Sequence, residues 1–238
     1  MSKTVMAFRH MRQEDLGSFA APLTARGYTI QYVDTPREDL SALDALAPDI
    51  LAVLGGPVGV YQAADYPFLT QEIEWVKRRM DADKPVFGIC LGSQIIAAAH
   101  GENVYKGSEG VEAGWKKLHL SEEGKMSPAR HLGGDMTNMF HWHGDTFDLP
   151  SSCTLLASSA QYKNQIYARG KTVIATQCHP EITEAMLREW IVMFVDDVTG
   201  NKPRVPISNL RNDIVRYAGT LETQAKIFID EWLGQLEE

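Results

Sequence analysis

Cys90 stands between two glycines in Gly88-Ile89-Cys90-Leu91-Gly92, where the apolar run Val86 to Ile89 gives way to a stretch ending Ile95-Ile96-Ala97-Ala98-Ala99. A short strand that breaks at once into a helix needs small residues two places either side of the break, because the backbone doubles back too tightly for side chains there. A cysteine held at such a turn faces the free N–H groups and the positive end of the helix dipole, which favours thiolate over thiol. This is the pattern of a nucleophile. A thiol nucleophile also needs a base and a group to orient it, and Thr172 to Gln177 reads as a second apolar strand ending in His179-Pro180-Glu181. If the chain leaves that strand extended, residues two apart point the same way, so His179 and Glu181 reach one site together.

Two further constellations carry chemistry. Leu54-Gly55-Gly56-Pro57 ends another apolar run with two glycines, which let a backbone N–H turn toward a developing oxyanion. His141-Trp142-His143-Gly144-Asp145 places two imidazoles on one face of a strand. No third ligand stands at a convincing spacing, so no metal is expected.

The elements that must position these residues follow from hydrophobic period and turn chemistry. Strands are expected at Thr4 to Phe8, Tyr28 to Val33, Asp49 to Leu54 and Val86 to Ile89, with helices at Leu16 to Arg26, closed by Gly27, at Glu38 to Leu46, at Pro67 to Met80 and at Leu91 to His100. Strands alternating with helices are the signature of a doubly wound α/β fold, mostly parallel with helices on both faces, whose sites collect at the carboxyl ends of the strands. From Asn103 to Tyr167 the pattern changes to short extended pieces, Trp115 to Leu120, Thr154 to Ser158 and Gln165 to Tyr167, expected to form a small antiparallel section. Thr183 to Val198 reads as an amphipathic helix, Gly200 to Pro206 as a linker and Ile207 to Leu236 as a final long helix. The expected organisation is one catalytic domain over 1–200, with 201–238 as a helical extension of it.

Together, P-V-F-G-I-C-L-G-S-Q and Q-C-H-P-E resemble the paired motifs of the class I glutamine amidotransferases. An α/β-hydrolase with a cysteine nucleophile places its acid before its histidine, whereas here the acid follows by two residues. The resemblance covers about residues 1 to 190 and is similar in detail to the glutaminase part of GMP synthase, through H-G-D at 143–145. It implies a flavodoxin-like sheet and a Cys90-His179-Glu181 triad. It also implies an oxyanion hole from the Gly56 and Leu91 amides, and substrate contacts from Gly55, Gln94, His143, Gly144 and Asp145. Trp142 replaces the family's serine, and Cys178 puts a second thiol beside the triad in sequence. The implied reaction hydrolyses the glutamine side-chain amide through a γ-glutamyl thioester. The alternatives are a γ-glutamyl peptide hydrolase and a non-catalytic regulatory module on the same fold.

The chain has 238 residues, 44% hydrophobic and 23% charged, enough to bury the core of one large α/β domain. A net charge of −8 supplies no basic footprint for nucleic acid or an anionic membrane. No apolar stretch approaches the ~18 residues of a membrane span, and charged residues interrupt the first apolar run before it forms a signal-peptide core. Three cysteines with no C-x-x-C give no disulfide framework, so a cytoplasmic protein is expected. No G-x-x-x-x-G-K-[ST] and no S-G-G-x-D-S loop occurs in the sequence, so ammonia used for amidation would pass to a separate synthetase. No cofactor is called for by the residues themselves; the expected ligand is a small molecule.

Overall fold

The computed structural model describes residues 3–193 and 206–237. Its main sheet has eight strands in the order β2-β1-β3-β4-β12-β11-β10-β7. The strands β1 (Lys3–Arg9), β2 (Tyr28–Asp34), β3 (Ile50–Val53), β4 (Val86–Ile89) and β12 (Val173–Thr176) are mutually parallel. Antiparallel strands β11 (Ile166–Arg169), β10 (Thr154–Ser158) and β7 (His119–Leu120) extend the sheet beyond β12. Two small antiparallel pairs stand apart from it: β5 (Val104–Lys106) with β9 (Asp145–Phe147), and β6 (Glu112–Lys116) with β8 (Met139–His143).

The inner parallel strands β1, β3, β4 and β12 are buried on both faces, and their side chains alternate between two cores as a period of two requires. Val5, Ala7, Ile50, Ala52, Phe87 and Ile89 face one cluster. Met6, Phe8, Leu51, Val53 and Val86 face the other. The first cluster is closed by α1 (Ala20–Ala25), α5 (Glu184–Met193) and α6 (Ile207–Gln235), and the second by α2 (Phe68–Asp81) and α3 (Leu91–Ala99). The short α4 (Glu122–Lys125) packs beside β10. Along α6, Leu210, Ile214, Ala218, Leu221, Ala225, Phe228 and Trp232 recur every three or four residues and all enter the first core, so 207–235 shares that core with α1 and α5. No described helix is long and apolar enough to cross a membrane.

Several expected elements take a different form. The stretch 38–46 holds only a single helical turn at Leu40–Ala42. The Asp39 and Asp44 carboxylates accept from the N–H groups of Ser41 and Leu46, competing with helix continuation. The carbonyls of Ala45 and Pro48 are taken instead by the buried guanidinium of Arg79. The expected helix over 16–26 opens with a 3-10 turn, Gly17–Phe19, before α1. The expected strand over 115–120 starts earlier, at Glu112, and divides between two sheets. The strand leading to His179 ends at Thr176, and 177–181 form an irregular turn. The expected linker over 200–206 and the end of the helix after 193 fall almost wholly outside the described residues.

Candidate active site

Two neighbouring parallel strands bring the first residues together. β12 pairs with β4 in the register Thr176↔Ile89, and the Cys90 N–H donates to the Thr176 carbonyl at 2.7 Å. The turn at Cys90 is thereby tied to the strand that leads into the histidine. Cys90 adopts φ 51° and ψ −107°, a conformation L residues avoid and one held only where surroundings enforce it. The enforcement is steric. A Cβ on Gly88 would fall 2.6 Å from the backbone of Gly92, and one on Gly92 would fall 1.9 Å from the Val53 carbonyl oxygen. The Ser93 hydroxyl locks the turn by donating to the Cys90 carbonyl at 2.7 Å.

His179 Nδ1 lies 2.8 Å from Glu181 Oε1, so Nδ1 carries the proton that the carboxylate accepts, and the other ring nitrogen is left for Cys90. Cys90 and the ring line the same pocket. Burial works against a charge on His179, but Glu181 and then Cys90 outweigh it and hold the imidazole well above its ordinary range. Trp190 packs edge-on against the ring at 5.1 Å, and the His179 N–H donates to the Phe140 carbonyl at 2.9 Å. The structure thus brings Cys90, His179 and Glu181 close together, although the strand stops short of His179.

Cys90, His179, Gly56, Gln94, His143, Gly144 and Asp145 line one pocket of about 490 Å³. Among the described residues, the N–H groups of Gly56 and Leu91 donate to no other group, which leaves both for an oxyanion. Gln94 does not project freely. Its amide donates to Gln177 Oε1 at 3.1 Å, and the Gln177 amide lies 3.6 Å from Cys90 Sγ. Gly55 stands behind the wall: its carbonyl accepts from His10 Nδ1 at 2.6 Å, and a Cβ on it would fall 2.5 Å from Glu14 Oε2. Its hydrogen matters for the space it leaves to Glu14.

His143 is held from behind. Its Nδ1–H donates to the Asp145 carbonyl at 3.0 Å, and its Nε2 accepts from the Gln165 amide at 3.2 Å. The acidic group that linear spacing conceals is Glu112, which faces His143 across the β6–β8 pair. Ligand-type atoms of Glu112, His141 and His143 lie within 4.8 Å of one another. The Gln165 amide bridges the carboxylate at 2.7 Å to the His143 ring, and the Ser159 hydroxyl donates to the same carboxylate oxygen at 3.0 Å. Hydrogen bonding thus accounts for the Glu112–His143 contact. Burial pushes Glu112 up, but the His141 and His143 rings and the Ser159 hydroxyl beside it outweigh that and bring it below its ordinary range. Asp145 and Tyr61 both line the pocket, and burial and then the Asp145 carboxylate push the Tyr61 hydroxyl up.

All three cysteines are free thiols. Cys178 is adjacent to the triad in sequence but fully buried, with Sγ 3.9 Å from the Gln165 carbonyl. Burial pushes its thiol well above the ordinary range. Residues that sequence reasoning passed over include Lys106, Trp190 and Glu14, which also line the pocket. Only Trp190 had a visible signal, as an aromatic in an amphipathic helix. Glu14 is an acid in a loop with no local pattern to mark it.

A family model described as Glutamine amidotransferase class-I matches residues 18–194. A glutamine amidotransferase from Thermotoga maritima superposes with a TM-score of 0.79 at 30% identity, covering 96% of this chain and 99% of that one. A glutamine-hydrolyzing GMP synthase subunit of Thermoplasma volcanium is 35% identical over 137 residues, 56% of this chain and 64% of its own. Gamma-glutamyl peptidase 5 of Arabidopsis thaliana is 30% identical over 115 residues, 47% of this chain and 45% of its own. This chain thus spans less than two thirds of each of these two curated relatives.

Proposed function

Because the chain belongs to the class I glutamine amidotransferase family, we propose that it hydrolyses the side-chain amide of glutamine to glutamate and ammonia through a Cys90-His179-Glu181 triad. The observation that carries this reading is the convergence, in one pocket, of a strained cysteine and a histidine already bonded to its acid.

Cys90 Sγ attacks the amide carbonyl carbon while His179 takes the thiol proton. The tetrahedral oxyanion is met by the Gly56 and Leu91 N–H groups, each donor being worth about 3 kcal/mol of barrier. Collapse breaks the C–N bond, His179 delivers the proton to the leaving nitrogen, and a γ-glutamyl thioester remains. Water, deprotonated by His179, attacks the thioester, and glutamate leaves as the thiol is re-formed. Glu181 fixes the ring tautomer and stabilises the imidazolium in both halves. The residues that act in these steps call for no cofactor. Ammonia destined for amidation passes to a separate synthetase, in keeping with the missing pyrophosphate loops.

A second reading, hydrolysis of γ-glutamyl peptides, is favoured by one feature. The pocket that holds Cys90 is lined also by Lys106 and Trp142, an ammonium and an aromatic face suited to receive a second residue and its carboxylate. Steady-state turnover by the purified chain separates the two. Glutamine hydrolysis that speeds up when a synthetase is added supports the first. Fast, partner-independent cleavage of a γ-glutamyl dipeptide with glutamine nearly inert replaces it with the second. Wild-type turnover in Cys90→Ala would remove both.

A further inference from the structure

One carboxylate in the site has no task in the mechanism above. Glu14 lies in the loop between β1 and α1, is 6% exposed and lines the pocket beside His179. Its Oε2 is buried without a hydrogen-bond partner. A carboxylate kept in a core for structural reasons is held by donors, because burying it unmet is costly. Glu14 is instead positioned by the backbone around it. The same loop is clamped to the triad segment, with the Ser18 N–H donating to the Glu181 carbonyl at 2.8 Å and Trp190 Nε1 donating to the Gln13 carbonyl at 3.0 Å.

The carboxylate and the catalytic ring meet above Gly55. From the point where a Cβ on Gly55 would sit, Glu14 Oε2 is 2.5 Å away and His179 Cε1 is 3.5 Å away. Cε1 is the carbon between the two ring nitrogens, so an anion there acts on the whole imidazolium without occupying either nitrogen. The ionisable groups around Glu14 are His10, His179 and Glu181. His10 already has an acidic partner: both Glu72 oxygens, reaching in from α2, lie 3.1 Å from its Nε2. His179, bonded to Glu181 through Nδ1 and sharing the pocket with Cys90, is the cation left for Glu14 to serve.

We propose that Glu14 is a second acidic positioning residue of the triad histidine, stabilising the His179 imidazolium from its Cε1 edge while Glu181 does so from Nδ1. The proposal rests on the reading of Cys90 and His179 as nucleophile and base. Burial pushes the Glu14 carboxyl up to about 7, against the pull of His179 and His10. Glu14 therefore gives this support above neutrality and withdraws it in acid.

The test is an NMR titration of the His179 Cε1–H signal in the full chain, assigned by its absence in His179→Ala, for wild type, Glu14→Gln and Glu14→Asp. An anion within about 4–6 Å raises a cation's titration point by one unit or more. Glu14→Gln is accordingly expected to lower that of His179 by about one pH unit, a roughly tenfold loss of imidazolium on the alkaline side. The acid limb of kcat/KM, where the base that takes the thiol proton becomes protonated, should move with it, and Glu14→Asp should restore part of both. Superposition of the Glu14→Gln and wild-type titrations overturns the proposal, since a merely structural residue would change stability and leave His179 in place. If Glu14→Gln fails to fold, Gly55→Ala displaces the carboxylate and carries the same expectation. A titration that shifts in a chain that turns over no γ-glutamyl compound would sink the catalytic reading and leave the coupling standing. Turnover with an unmoved titration would do the reverse.

Discussion

Glu14 also makes a quantitative prediction about stability, independent of any substrate. Its carboxyl titrates near 4.5 in an unfolded chain and is pushed up to about 7 by burial in the fold. Below pH 4.5 it is protonated in both states and folding carries no penalty. As the pH rises from 4.5 to 7 the unfolded chain releases the proton and the folded one retains it, so stability falls; above 7 the loss is complete and constant. At roughly 1.36 kcal/mol per pH unit, the full penalty is about 3.4 kcal/mol. Glu14→Gln keeps the shape and never ionises. It should match wild type near pH 4 and exceed it by about 3 kcal/mol at pH 8, or about 6 °C in Tm or more for a chain of this size. Urea denaturation of both proteins at pH 4, 6 and 8 gives the difference directly, and titrating groups that do not face Glu14 largely cancel in it. A difference that stays flat with pH, or a wild type that is the more stable at pH 8, would refute the reasoning, since Glu14 would then have a partner or free access to water. The predicted pattern, a variant that is more stable but catalytically weaker, is the trade expected of a group held in place for function.

The remaining predictions concern the triad and its turn. A glutamine-like electrophile should modify Cys90 and leave Cys178 untouched, because Cys178 is buried with its thiol pushed up; peptide mass mapping that found the adduct on Cys178 would contradict the elbow. His179→Ala should abolish hydrolysis while Glu181→Gln retains a measurable remnant, since the acid acts only through the ring; equal losses in a steady-state assay would make Glu181 more than an orienter. Gly92→Ala should destabilise by about 3 kcal/mol or more, because its Cβ would fall 1.9 Å from the Val53 carbonyl oxygen, and a variant with wild-type melting and activity would mean the turn is less constrained than the contact implies.

Whatever depends on local backbone sterics and short-range period was legible along the chain. Glycines two residues either side of Cys90 are demanded by the turn itself, His179 and Glu181 are two residues apart, and the apolar runs of β1, β3 and β4 could only be strands covered on both faces. Those features survive any change of surroundings. The stretch 38–46 was not legible, because its Ala45 carbonyl is claimed by Arg79, more than thirty residues away, and the Ser41 and Leu46 N–H groups by its own aspartates. Nor could sequence spacing pair Glu112 with His143, because that contact is created by strand register across 31 residues. Glu14 is the clearest case. Nothing in its neighbours marks it, and only the packing of the β1–α1 loop against Pro180 and Glu181 removes its water and places its charge beside His179. An ionisable group's chemistry is set by what surrounds it in three dimensions, and for Glu14 those surroundings come from the far end of the chain.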